Sequence, residues 1–381
     1  ASIDPPLRAA LRLGLFELLF DDGASAHAAV DQAVGLAKGG RDGGRRRRGA
    51  GLVNAVLRRA ARERPELLGG LEHDSPAAAA IAFSVPAWIA ELWWRERGED
   101  RALGLLRAAN RAPRRLYRPT GRVAPTALVE RLRAGGVDGE LLDPELAAGC
   151  ELLEVTGGEW GAVEAAVRDG ELVPQSRGSA LAAALLGVRD GDRVLDLCAA
   201  PGLKTTQLAA SAGRRGTVVA VERDPARARE IEELCGRVGV EGVEVVCGDG
   251  TELELGSGYD RVLVDAPCTG LGTLASRPDL RWRRSAADVA ELAELQGRLL
   301  AAGTGALRPG GRAIYSVCTI TRAEGAGVVA AALGRDERLR QVDLSETCPA
   351  LADDRDPASL QLLPDRDHSD GFFIAGLERA A

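Results

Sequence analysis

Two cysteines in this chain of 381 residues stand where a thiolate could reach a substrate. Cys268 follows the apolar run DRVLVD (260–265) within Asp265-Ala266-Pro267-Cys268-Thr269-Gly270, and Cys318 closes the run RAIYSVC (312–318) ahead of Thr319. Each leaves a short β-rich run for a polar loop. Both are therefore expected at the carboxyl ends of adjacent strands, where open α/β sheets collect their ligands. A thiolate in such a place can be stabilised and can act as a nucleophile. Carbon 5 of a pyrimidine is too weak a nucleophile to take a methyl group from a sulfonium unaided. Sulfur addition to carbon 6 produces an enamine-like ring whose carbon 5 can attack, after which a base removes the carbon-5 proton and the thiol leaves. A carboxyl group such as Asp265 could hydrogen-bond the N3/N4 edge of cytosine and polarise the ring. One cysteine suffices for attack, and a second can assist release. Cys150, Cys235, Cys247 and Cys348 read as small hydrophobes, and Cys198 as a structural residue lining the turn that follows it.

A methyl donor needs its own cradle. The run RVLDLC (193–198) passes into Ala199-Ala200-Pro201-Gly202-Leu203-Lys204, a strand-to-helix turn of small residues where a ligand can approach the backbone. It matches neither G-x-x-x-x-G-K-[ST] nor G-x-G-x-x-G, which disfavours an NTPase or a dinucleotide enzyme. Lys204 is one of only two lysines beside 47 arginines, so its position carries weight. Glu222 ends the next apolar run, where a carboxylate suits a ribose diol, and Asp249 follows the third, where one can accept from an adenine amino group. With Asp265 these acids suggest a nucleoside cofactor, and the lack of a phosphate-cradling loop suggests one without a phosphate chain. S-adenosyl-L-methionine fits that description.

The elements needed to hold these residues are legible as alternation. From 190 onward, apolar runs (193–198, 217–222, 243–247, 260–265, 312–318) alternate with helical segments near 203–212, 225–238 and 286–306. That is the signature of a parallel sheet covered on both faces. GFFIAGLE (371–378) reads as a last, edge strand. Residues 114–174 suggest a small α/β module with strands at 117–123 and 152–155 and a helix at 126–134. Residues 5–68 read as helices interrupted by a glycine- and arginine-rich loop at 39–49, and 84–112 as a further helical stretch with Trp88, Trp93 and Trp94 as filler. The division expected is 1–68, 69–174 and 175–381. Hydrophobic residues at 45% and charged residues at 28% fit a globular chain. No apolar run is long enough to cross a bilayer, so a cytoplasmic protein is expected; it is also expected to be a monomer. An odd cysteine count without a C-x-x-C pair argues against disulfides and zinc, and no metal is expected. The chain starts without Met, which suggests that it begins inside a longer protein.

Residues 1–120 carry 20 basic and 14 acidic side chains and the remainder 29 and 42, giving +6 and −13. An acidic total leaves nucleic-acid contacts to local patches. Arg45, Arg46, Arg47 and Arg48 form one candidate patch. RPDLRWRR (277–284), with Arg277, Arg281, Trp282, Arg283 and Arg284, forms another.

The motifs LDLCAAPGLKT, DAPCTGLGT, RPDLRWRR, YSVCTI and DGFFIAGLE resemble those of the RNA cytosine-C5 methyltransferases. HAAVDQAV and GLVNAVLRR resemble the NusB-like domain of the bacterial 16S ribosomal RNA methyltransferase B (RsmB/Sun/Fmu) branch. The resemblance implies a Rossmann-like class I S-adenosylmethionine methyltransferase domain, preceded by a small α/β module and an all-α NusB-like domain incomplete at its start. It further implies that Cys318 is the nucleophile, that Cys268 promotes release, that Cys198–Lys204, Glu222, Asp249 and Asp265 hold the cofactor, and that the substrate is 16S rRNA, naked or in an early assembly intermediate, at cytosine 967. Leu203 stands where relatives have a second glycine and Glu222 where they have Asp. Two other readings stay open from the residues alone: an RNA-binding or assembly module with a vestigial catalytic domain, and a Rossmann-type methyltransferase acting on something other than RNA.

Overall fold

A computed structural model describes the chain apart from residues 1, 2, 22, 24, 40–42 and 144–149 and the side chains of residues 43–48. It divides into two compact units, Ala1–Ala82 and Phe83–Ala381.

The first unit is helical. Pro5–Phe20, Ala26–Lys38 and Gly43–Arg62 pack through Leu7, Leu11, Leu18, Ala33, Val53 and Leu57, whose helical spacing puts them on inward faces. Short helices Arg64–Gly69 and Pro76–Ala82 follow. Ser25 caps the second helix by accepting from the Ala28 amide. The loop expected at 39–49 is shorter than the sequence suggested, because the third helix already begins at Gly43 and takes in Arg45–Arg48. Glycine content marked a break, yet one apolar face runs on through Ala50, Val53 and Leu57.

The second unit begins with helices Ala87–Arg97 and Glu99–Ala108. A small antiparallel sheet follows, made of β1 (Leu116–Pro119), β2 (Val137–Leu141), β3 (Leu153–Gly158) and β4 (Leu172–Pro174) in the order β2-β3-β1-β4. Helices Pro125–Ala134 and Trp160–Arg168 cover it. Strands β2 and β4 were not anticipated from the sequence.

The large sheet holds nine strands. Its first five are β5 (Arg193–Leu197), β6 (Thr217–Glu222), β7 (Val243–Cys247), β8 (Tyr259–Asp265) and β9 (Leu307–Val317). Then come β10 (Leu339–Val342), β11 (Ala352–Asp353), β12 (Asp356–Leu362) and β13 (Phe372–Arg379). Strands β9-β8-β5-β6-β7 run parallel in that order, as the alternating pattern predicts. β13 pairs antiparallel with β9 on one side and with β12 and β10 on the other. It is an interior strand, not the edge strand expected: Phe372 to Leu377 is buried throughout, and the run that looked terminal has neighbours on both sides. Helices Arg177–Leu185 and Leu203–Ala212 pack on one face of the sheet, and Ala286–Ala306 and Ala326–Arg335 on the other. Local signals fix their starts. Asp224 accepts from the Ala226 and Arg227 amides ahead of Pro225–Val238, and Ser285 with Asp288 forms a capping box ahead of Ala286–Ala306. Among the described residues no helix is long and apolar enough to cross a membrane.

Candidate active site

Parallel pairing of β8 with β9 puts Asp265 opposite Ser316, which brings the loops after these strands together. Cys268 Sγ and Cys318 Sγ come within 3.3 Å. Arg277 donates from Nη2 to Cys318 Sγ at 3.2 Å. The Cys268 thiol donating to Cys318, and then the Arg277 charge, hold the Cys318 thiol below its usual range. The same hydrogen bond, together with burial, pushes Cys268 well above it. The pair is thus divided into one sulfur prone to ionise and one that keeps its proton.

Asp265 lies beside them. Lys204 Nζ contacts its Oδ2 at 2.6 Å, and Ser316 Oγ donates to its Oδ1 at 2.7 Å. Lys204 also stands 5.4 Å from the centre of the Phe372 ring on β13. A cleft of 730 Å³ is lined by Cys198, Lys204, Asp265, Cys268, Arg277 and Cys318 among others. The sequence-selected groups from three separate strand ends therefore share one opening.

The turn after β5 has the geometry its small residues suggest. Cys198 takes φ +62° and Gly202 φ +98°, and the Ala200–Pro201 peptide is cis. A side chain at Gly202 would be strained in that left-handed conformation. Burial pushes the Cys198 thiol up to about 12, so this sulfur stays neutral. A recess continuous with the turn is lined by Cys198, Val221, Glu222, Asp249, Leu295 and Leu299. Glu222 is buried, and its Oε1 accepts from the Asp224 amide while Oε2 lies 3.7 Å from Arg227. Asp249 Oδ1 accepts from the amide and the hydroxyl of Thr251. Two carboxylates with apolar walls between them form a donor-accepting set that fits a nucleoside: acceptors for hydroxyl and amino hydrogens, and flat contact for the ring. Ala199, Ala200 and Pro201 complete the turn, and Leu203 and Lys204 open the helix Leu203–Ala212 that follows it.

The arginines of 277–284 part ways. Arg277 reaches the Cys318 sulfur, as described. Arg284 donates to the carbonyls of Cys268 and Thr269. Arg283 is exposed and pairs with Asp279, and Trp282 is 63% exposed. Arg281 departs from the expected RNA-facing position. It is buried and donates to the carbonyls of Ser84, Ala109 and Leu274 and to Asn110 Oδ1, which turns it into an internal strut. The side chains of Arg45–Arg48 lie outside the described residues.

Sequence reasoning missed Glu324. It is fully buried, and its carboxylate accepts from the Thr269 amide at 2.7 Å, Gln296 Nε2 at 3.2 Å, and the hydroxyls of Thr269, Thr319 and Thr321 at 2.6, 3.3 and 2.9 Å. Thr269 and Thr319 directly follow the two cysteines, so one carboxylate ties both loops. The run Thr319-x-Thr321-x-x-Glu324 was the available signal. Arg118 was missed as well: buried, it donates to Gln175 Oε1 at 2.6 Å and Thr206 Oγ1 at 2.8 Å, joining the small sheet to the helix after the turn.

Comparison with known proteins places the chain. The model of the 16S rRNA methyltransferase RsmB/F family matches residues 183–378, and that of the NusB family matches residues 1–62. A ribosomal RNA small subunit methyltransferase B of Thermus thermophilus is 35% identical, over 99% of this chain and 81% of the relative. Its namesake from Pseudomonas putida is 31% identical, over 99% and 83%. A solved structure of a methyltransferase homologue from Pyrococcus horikoshii is 26% identical, with TM-score 0.69, covering 80% of this chain and 99% of that one.

Proposed function

The chain belongs to the 16S rRNA methyltransferase RsmB/F family, and on that premise we propose that it methylates carbon 5 of a cytosine in 16S rRNA through a covalent adduct on Cys318. Its cofactor is S-adenosyl-L-methionine, which when bound supplies an electrophilic methyl group on a sulfonium sulfur. In this reading Glu222 holds the ribose hydroxyls and Asp249 the adenine amino group, with the 198–204 turn against the rest of the cofactor. The protein acts as a monomer on naked RNA or an early assembly intermediate, and cytosine 967 is the position the sequence resemblance implies.

The observation that carries the proposal is the sulfur pair, 3.3 Å apart and open to the same cleft as Asp265 and Lys204. The Cys318 thiolate, stabilised by Arg277, forms a bond to carbon 6 as the carbon 5–carbon 6 π pair moves onto carbon 5 and the ring. Asp265, fixed by Lys204 and Ser316, accepts from the N4 amino group and orients the base, and the Lys204 cation beside it offsets the charge displaced into the ring. Once carbon 5 carries the methyl group, a base removes its proton. That electron pair restores the double bond, and the bond from Cys318 to carbon 6 breaks. Cys268 keeps its proton beside the departing sulfur and assists release. The target cytosine must leave its stack to reach the cleft, because carbon 6 is inaccessible within a helix. A vestigial catalytic domain would have no use for a cation aimed at a thiolate, which weighs against the binding-module alternative.

Bisulfite mapping of unmodified 16S RNA incubated with the protein and S-adenosyl-L-methionine tests the proposal. One protected cytosine is expected with the native chain and none with Cys318→Ala; undiminished methylation by that variant would refute the mechanism. With Cys268→Ala a protein–RNA adduct should accumulate on denaturing gels, and its absence would remove the release role from Cys268.

A further inference from the structure

Beside the cysteine cleft lies a separate cavity of 140 Å³ that the proposed reaction does not use. Trp93, Leu105, Leu116, Leu271, Leu274 and Pro364 wall it. Pro113, Arg114, Leu116, Ser176 and Asp370 line both this cavity and the cleft, so the two spaces adjoin. Trp93 is 2% exposed, yet its indole Nε1 has no hydrogen-bond partner among the described residues, and neither has the buried hydroxyl of Ser369, another lining residue. A buried donor left unpaired is destabilising, because its hydration is lost and not replaced. Native interiors seldom tolerate two in one place unless something arrives to satisfy them.

We propose that this cavity receives a second nucleobase of the RNA strand, a neighbour of the target cytosine unstacked together with it. The inference rests on the RNA-methyltransferase reading and adds a recognition site to it. Size supports it: an apolar cavity of about 150 Å³ takes one benzene-sized ring, which suits a single flat heterocycle and not a peptide segment or a lipid chain. Chemistry supports it as well. The indole N–H only donates, whereas a hydroxyl donates and accepts, so together they address the edge of a heterocycle that carries an acceptor next to a second polar atom. Asp370, which accepts from Ser276 Oγ at 2.7 Å, stands at the junction with the cleft. Arg111 is exposed at the rim, where a phosphate linking two splayed nucleotides would pass.

The walls are braced to keep the space open. Arg281 donates from one nitrogen to the carbonyls of Ala109 and Leu274, both of which line the cavity. Gly272, also lining it, donates its amide to the Cys318 carbonyl at 3.2 Å. Occupation of the cavity is therefore linked through one residue to the backbone of the nucleophile.

Equilibrium binding of the full chain to a fluorescent 16S RNA strand containing the target cytosine tests the inference. Single abasic substitutions are made at each neighbouring position, and methyl transfer to the intact strand is assayed separately. One abasic position should raise Kd about tenfold, the range of a lost base–aromatic contact. Ala275→Phe, which fills the cavity, and Trp93→Phe, which keeps the ring and deletes the donor, should each raise Kd for the intact strand. Neither variant should respond further to the sensitive abasic position. A flat abasic series, or Ala275→Phe and Trp93→Phe binding as the native chain does, would mean that the cavity holds only water and would overturn the inference. If methyl transfer to the intact strand persists in that case, the functional proposal stands and this inference alone falls. Failure of both binding and transfer would sink the two together.

Discussion

Arg277 and Cys268 both aim hydrogens at the sulfur of Cys318, and each contact makes a distinct prediction. Removing the cation with Arg277→Ala leaves the thiolate less stabilised, so the Cys318 thiol must titrate at a higher pH. The acid limb of kcat/KM against pH should move upward; an unmoved limb would show that this arginine does not serve the sulfur. Glu324→Gln replaces an acceptor of five donated hydrogens with a group that itself donates. Unfolding in urea should show a loss of about 2–4 kcal/mol, accompanied by slower methyl transfer as the two cysteine loops lose their shared anchor. Asp196 supplies a third handle. Burial pushes its carboxyl up to about 7, although Thr205 Oγ1 donates to Oδ2 at 2.7 Å. Between about pH 4 and 7 the folded chain therefore holds a proton that the unfolded chain has released. This contribution to stability is complete below the lower value and is lost as pH rises through the upper one. The urea midpoint should fall more between pH 5 and pH 8 in the native chain than in Asp196→Asn.

At the level of strands and loops, the parallel half of the large sheet was legible because its strands, buried on both faces, read as apolar runs such as RVLVD. The antiparallel half was not. β12 contains DPASLQL, whose proline and polar residues mask a strand, and β10 and β11 are too short to show a period. Whether β13 lay at an edge was undecidable from its own residues, since the answer depends on partners distant in sequence. The site followed the same division. Cys268, Cys318, Asp265 and Lys204 sit at strand ends or in a strand-to-helix turn, which pattern locates. Glu324 lies in a loop and gains its meaning from Thr269 and Gln296, which only folding brings near. In RPDLRWRR neither residue type nor spacing reveals that Arg281 is buried while Trp282 and Arg283 stay exposed. One loop contact is open to test. Gly272 passes so close to Gly371 that a Cβ on it would stand 2.2 Å from the Gly371 carbonyl oxygen, and backbone cannot yield as a side chain end can. Gly272→Ala should lower stability by roughly 1–3 kcal/mol and reduce transfer, because the same residue bonds the Cys318 carbonyl. A midpoint equal to the native one would show that the two loops separate freely.

Across the whole molecule charge is divided, +6 in the first 120 residues and −13 beyond. RNA affinity should therefore weaken steeply with salt and depend on arginines in the front part. Replacing Arg45–Arg48 with alanine should reduce the slope of log K against log salt by up to about 3 for a single strand, and an unchanged slope would exclude that cluster from the contact. The position of β13 bears on how the protein comes into being. It emerges from synthesis after β5 to β12, yet it is inserted between β9 on one flank and β10 and β12 on the other. Until it arrives, β9 has an uncovered edge and the Phe372 ring is missing from beside Lys204. Nascent chains that have only reached Cys318 already hold every reactive group but not the floor beneath them. A chain stopped before Phe372 would lack one wall of the cleft and leave the β9 edge unpaired.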